Sequence, residues 1–219
     1  MRSSTLRTAA FAFVTASLLS LCFSGCTTPG SPGAVQSSPE SSSNLGQPTI
    51  RQTDDTGQRL PFETQFPNRW STNNDGTSYE PCTQVPADVV QRFRLSAESV
   101  SDVAASDFQT ARGCQWILID DGRSTISQAV GNIIRPEDGL SGHKELNSAA
   151  SQWLPDIEID GRRVLVGAVN NADCTVYVQS GTAVVATSFL RFGRDRPPID
   201  EICKTSEEFL RATIQNIPR

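Results

Sequence analysis

The sequence predicts an exported α+β domain: a mainly antiparallel sheet of about five strands with helices packed on one face. Three observations predict it. Segments such as Cys174–Gln179 alternate apolar and polar residues, which sends successive side chains to opposite faces of a strand. Short turn sequences, Asp121-Gly122 and Ser180-Gly181, join such segments in pairs. Ile199, Ile202, Cys203, Leu210, Ile214 and Ile217 form one stripe at helical spacing near the C-terminus. Strands joined by hairpins, with helices set apart from them, give an α+β arrangement.

Each element follows from its residues. Pro86 suits the first turn of a helix, Asp88 favours its dipole, and Val89, Val90 and Phe93 give it one apolar face. Arg112–Asp120 is the first strand. Cys114, Trp116 and Leu118 point one way, and Gln115, Ile117 and Ile119 the other. Ser124–Ile134 returns beside it after Asp121-Gly122. A helix is expected over Lys144–Leu154, where Leu146, Ala149, Ala150 and Trp153 keep helical spacing and Pro155 ends it. Arg163–Val169, Cys174–Gln179 and Thr182–Phe192 are the remaining strands, and Pro197-Pro198 breaks the chain before the terminal helix.

Ahead of this domain the chain carries an address. Arg2 and Arg7 precede an apolar run, Ala9 to Leu21, that is too short to span a bilayer. Phe23-Ser24-Gly25-Cys26 then reads as a lipobox, with two small residues before a cysteine. Cys22 follows the bulky Leu21 and fits a peptidase cut less well. Residues 1–25 are therefore expected to be a cleaved signal, with lipidation at Cys26. Stable anchoring takes at least two acyl chains, which such a cysteine carries. The expected location is extracytoplasmic, at the outer face of the cytoplasmic membrane. Residues 26–60 are rich in Ser, Pro, Gly, Gln and Thr and read as a disordered tether with a span of roughly 30 Å. Residues 61–219 form the globular domain, which Phe62, Phe66, Trp70 and Tyr79 enter through a turn-rich segment.

The chain has 219 residues and a net charge of −5, and the two arginines of the signal are lost on cleavage. An acidic domain without a long basic run excludes nucleic acid as a partner and electrostatic docking on anionic lipid. Four cysteines remain in the domain: Cys82, Cys114, Cys174 and Cys203. In an exported protein an even number reads as two disulfides. Three pairings are possible. Cys82–Cys114 and Cys174–Cys203 are favoured, because each pair brackets a helix and a strand. Each bridge would close about 30 residues and contribute roughly 3–4 kcal/mol. Zinc is the alternative, but no CxxC or HxxxH spacing supports it. No metal and no cofactor is expected.

Few residues carry a catalytic pattern. His143 is the single histidine, so a Ser–His–acid triad would have to use it. No Gly-x-Ser-x-Gly turn exists, and Ser141 lies in a Gly-rich loop. His143 reads as a surface histidine near a helix start. Asp156, Glu158 and Asp160 alternate, which suggests one strand face and either a Ca²⁺ site or a solvated edge, the second being preferred. Arg191, Arg194 and Arg196 would receive an anion or pair with Asp195, Asp200 and Glu201, and pairing is preferred. Trp116 beside Cys114 reads as core packing rather than a ligand platform.

Tyr79-Glu80-Pro81-Cys82-Thr83, then a short helix, then Gly113-Cys114-Gln115-Trp116 follow a lipobox and a low-complexity tether. Together they resemble the actinobacterial lipoproteins of the domain-of-unknown-function 3558 family. The resemblance covers most of residues 62–217, with later cysteines near Cys174 and Cys203. It implies a cell-envelope lipoprotein and brings no catalytic residue with it. The expected function is a membrane-anchored, non-catalytic lipoprotein that binds an unidentified envelope protein or small ligand. The alternatives are a carrier of an apolar envelope molecule, held between sheet and helices, and an envelope hydrolase using acidic residues.

Overall fold

A computed structural model describes residues 49–104, 106–107 and 109–219. The expected signal segment, lipidation site Cys26 and most of the tether lie outside the described residues. The elements in chain order are helices α1 (Pro81–Gln84) and α2 (Ala87–Arg92), strands β1 (Ser101–Asp102), β2 (Ala111–Ile117) and β3 (Thr125–Asn132), and helix α3 (Gly139–Leu146). Strands β4 (Gln152–Trp153), β5 (Ile157–Ile159), β6 (Arg162–Ala168), β7 (Asp173–Ser180) and β8 (Ala183–Leu190) and helix α4 (Ile199–Thr213) complete it.

One antiparallel sheet of eight strands dominates, in the order β1-β2-β3-β8-β7-β6-β4, with β5 also paired to β6. The expected α+β class with about five strands is thereby corrected to a mainly β fold. Two strands of two residues each, β1 and β4, are too short to show a period of two, and β5, of three residues, shows only as the alternation of acidic residues around it. These short pieces cover both margins of the sheet, where longer open strands would invite pairing with other chains. The helices α1, α2 and α3 span only four, six and eight residues, and α4 is the one long helix among the described residues.

The helix expected over Lys144–Leu154 is also corrected. α3 ends at Leu146, and Trp153 instead pairs with Gly167 in the sheet. The Trp153 ring lies 3.0 Å from where a Cβ on Gly167 would stand, so a glycine there admits the indole flat against β6. The β7–β8 turn is Gly181-Thr182, one residue on from the expected position, because Ser180 still pairs with Ala183. Gly181 has φ +58°, a conformation most residues avoid. The packed body also begins ahead of Pro61. Leu60 is buried, its N–H donates to the carbonyl of Gln52, and the buried Asp54 accepts from the hydroxyl of Thr83 at 2.6 Å.

The core lies on one face of the sheet, where alternation puts Cys114, Trp116, Ile126, Val130, Val164, Val166, Val176, Val178, Val185 and Phe189. α4 covers this face with Ile202, Phe209 and Leu210, each contributing roughly 1.5–3 kcal/mol by burial. The disulfide Cys174–Cys203 ties α4 to β7 with Cα atoms 4.9 Å apart, and Ser206 donates to the carbonyl of Cys174 at 2.8 Å. The second bridge, Cys82–Cys114, ties α1 to β2. These are the pairs that the bracketing of helix and strand favours.

Beside the second bridge sits an ionic cluster in which Arg69, Glu80 and Arg112 are buried and Asp102 lies at the margin. Glu80 takes a fork from Arg69 (Nη1–Oε2 2.8 Å, Nη2–Oε1 3.0 Å) and a further bond from Arg112 Nη1 at 3.1 Å. Asp102 accepts from Arg69 Nε at 2.8 Å. Arg112 also donates to the carbonyls of Asn74, Thr77 and Tyr79. Two cations and two carboxylates thus balance inside the fold, and the guanidinium forks close the entry segment onto β2. Burial works against the charge on Arg69, but its bonds to Glu80 and Asp102 hold its proton more tightly than usual. Burial pulls the proton affinity of Arg112 down, with Glu80 opposing.

Next to this cluster, Gly113 is required by contact rather than by φ: a Cβ there would stand 2.1 Å from the Gln128 carbonyl oxygen. A buried polar chain continues across the core. Tyr79 donates to Gln128 Oε1 at 2.6 Å, and Gln128 Nε2 reaches the hydroxyls of Thr187 and Thr213 at 2.9 and 3.0 Å.

Replacing Glu80 by Gln leaves two buried guanidiniums with one carboxylate between them. The expected cost is about 3–5 kcal/mol, the usual penalty for breaking a buried pair from one side. Urea denaturation at neutral pH checks it, and a change under 1 kcal/mol would contradict the assignment.

Candidate functional site

The face of the sheet away from α4 carries the site. In register across β2, β3, β8, β7 and β6 run Gly113, Ala129, Ala186, Tyr177 and Leu165. The adjoining row pairs Ala111 with Gly131 and Gly131 with Val184. Small side chains at neighbouring points of three strands leave a trough, and taller groups rise at its side. α3 crosses the β6–β7 half of this face, where Leu140, Leu165, Val184 and Ile133 form a second apolar cluster with Trp153 and Tyr177 against it. The groove that results has a volume of about 620 Å³, in the range of small-molecule sites.

Its floor is Ala129, Gly131, Ala186 and Val184. α3 supplies His143, Leu146 and, at its end, Asn147. The strand-end segment Ile133-Ile134 and the loops at Thr72-Asn73 and Thr110 complete the rim. Asn132 braces the rim: its Nδ2 donates to the Thr72 carbonyl and Asp75, and its Oδ1 accepts from the Gly76 N–H. Tyr177 is clamped between His143 and Trp153, with ring centroids 5.1 and 5.6 Å away.

His143 is therefore not the exposed histidine near a helix start that the sequence suggests. It lies within α3, half-buried against Tyr177, and burial lowers its pKa below the ordinary histidine value. Ser141 is no nucleophile partner to it: its hydroxyl accepts from Arg163 Nη1 at 2.8 Å. The three acidic residues do not share a strand face. Asp156 precedes β5 and pairs with Lys144 (2.6 Å) and Arg163 (2.7 Å), Glu158 lies on β5, and Asp160 sits in the turn with φ +51°. Among the described residues, no three His, Cys, Asp or Glu gather as a metal-holding set.

The three arginines also part. Arg191 does not pair with the acids that follow it. It bonds Asp121 across the sheet end at 2.6 Å, while Arg194 and Arg196 are exposed. Burial would raise the pKa of Asp121, but its bonds from Ser124 and Arg123 and the charge of Arg191 hold it down to about 2. Trp116 packs in the core against Phe209, with ring centroids 6.2 Å apart.

What sequence reasoning missed is the groove itself. A signal existed: Ala129, Gly131 and Ala186 are small at outward strand positions, where polar residues normally stand.

A family model described as "Protein of unknown function (DUF3558)" matches residues 21–216, and the chain belongs to that family. No curated protein matches the chain.

The groove makes a pH dependence assignable. The folded state disfavours the His143 imidazolium, so the unfolded chain binds more protons as pH falls below about 6.5. Stability is then expected to drop from pH 7 to pH 5. Asp121, whose pKa is depressed, adds a separate loss only as pH falls from about 4 towards 2. With one histidine in the chain, His143→Gln should flatten the upper slope alone. Urea denaturation at pH 7, 6 and 5 tests this, and an unchanged slope in the variant would contradict the burial of His143.

Proposed function

We propose that this chain is a lipid-anchored protein at the outer face of the cytoplasmic membrane, and that its domain is a non-catalytic binding module using the groove on the open sheet face. The groove is the observation that carries this reading. It combines a small-residue floor with polar groups at its rim, the Asn73 and Asn147 side chains and the His143 ring. A site lined in this way holds and orients a ligand.

The anchor rests on the lipobox, and the family match reaches back to residue 21, so it takes in Cys26. The span offered by residues 26–48 would let the domain work clear of the headgroups. The hydrolase alternative is less well supported. Among the described residues no carboxylate lines the groove, and Asp156, which Lys144 of α3 holds, is engaged by two cations.

The test uses the full chain expressed in a host with lipoprotein-processing machinery. Mass spectrometry of the mature N-terminus should find acylated Cys26, and Cys26→Ser should appear in the soluble fraction or as uncleaved precursor. Native mass spectrometry of the detergent-extracted protein should show a non-covalent adduct that Ala129→Leu removes. An unmodified N-terminus would overturn the anchor. A hydrolytic activity lost more than tenfold in His143→Ala, at unchanged stability, would overturn the non-catalytic reading.

A further inference from the structure

The groove has a charge character that sets it apart from the rest of the surface. One residue in five of the chain is charged, yet among the described residues no Asp, Glu, Lys or Arg lines this groove. The cleft near the C-terminus, of about 550 Å³, is lined by Glu137, Asp138, Arg162, Arg163 and Arg219. Three other clefts carry charges as well, such as Arg92, Glu208 and Arg211 in one and Glu63 and Asp102 in another, with Asp160 in the third. The charged residues on and beside α3 are turned to one another instead: Lys144 to Asp156 and Arg135 to Glu145.

Exposed apolar side chains point the same way. Ile134 is 81% exposed and Leu146 46%, and both stand on this groove. Large apolar side chains left open around a concave site are what a ligand covers. Burying a charged ligand group here is unfavourable, since among the described lining residues no opposite charge waits for it. An uncharged group meets no such penalty, and its hydroxyl or carbonyl has Asn73, Asn147 and His143 to bond.

We infer that the groove takes an uncharged amphiphile of small-molecule size, with its apolar body on the Ala129–Ala186 floor beside Tyr177 and a hydroxyl or carbonyl at the asparagine rim. This inference rests on the binding role proposed above and adds the chemical class of the ligand. The neutral imidazole of His143 suits the same occupant, because an apolar body laid against it favours its uncharged form.

Two fluorescent probes of similar ring structure separate charge from shape. N-phenyl-1-naphthylamine is neutral, and 8-anilinonaphthalene-1-sulfonate carries a sulfonate. Both are titrated into the full mature chain at pH 7.5 in low detergent, and into Ala186→Leu and Ala129→Leu, whose folding is checked by circular dichroism and by their thermal transition. The neutral probe should bind at least tenfold more tightly than the sulfonate, and each leucine should weaken it at least tenfold. Tighter binding of the sulfonate, blocked by the same leucines, would overturn the neutral class and leave the groove a binding site. Binding of neither probe, or binding indifferent to both leucines, would overturn the inference and the binding role together. Should one variant fail to fold, the other decides.

Discussion

The buried cluster of Arg69, Glu80, Arg112 and Asp102 is the constraint on which the arrangement depends. The entry segment up to Tyr79 is poor in regular structure and cannot hold itself by backbone ladders. It is held instead by guanidinium forks, which supply enough donors to satisfy both carboxylates and several carbonyls at once. A buried ion pair is seldom a large net source of stability against an apolar substitute. Its worth here is in register: Glu80 stands next to the Pro81-Cys82 pair, Arg112 two residues before Cys114, and the cluster and the disulfide together fix where α1 meets β2. Gly113 sits between, and allows β2 to press against β3.

With that side of the sheet covered by α4, α2 and the entry segment, the other side is free to differ. Its lower half meets α3, while Ala129, Gly131 and Ala186 leave the centre low. The same loops that the ionic cluster anchors, Thr72-Asn73 and the approach to Gly76, then form the far rim, stitched to β3 by Asn132. The groove is thus a consequence of the frame: its floor is set by strand register, its walls by one short helix and one anchored loop. The floor is made of small residues, and the nearby ions are paired with each other: Lys144 with Asp156 and Arg135 with Glu145.

Much of this was legible in the residues. The alternation of Cys174, Val176 and Val178 along β7 names the inward face, and the stripe on α4 places Cys203 where it can meet Cys174. The cluster was not legible, because its members lie far apart in sequence and ionic contacts have no period. Arg112 did carry a hint: it shares the inward phase of Cys114 and Trp116, where an arginine demands a buried partner. Trp153 misled, since its spacing from Leu146, Ala149 and Ala150 suits a helix, and only the glycine opposite shows why it joins the sheet. His143 misled for a related reason. A lone histidine near Gly-rich sequence reads as surface, and its burial depends on Tyr177, which is more than thirty residues away.

The central claim is that the open sheet face holds a site for an uncharged ligand. The most direct measurement is a crystal structure of the mature chain grown with N-phenyl-1-naphthylamine. The account predicts the naphthyl ring over Ala129 and Ala186, within contact of Tyr177 and His143, and its amine towards Asn73 or Asn147. A probe bound in another cleft, with this groove filled only by water, would contradict it.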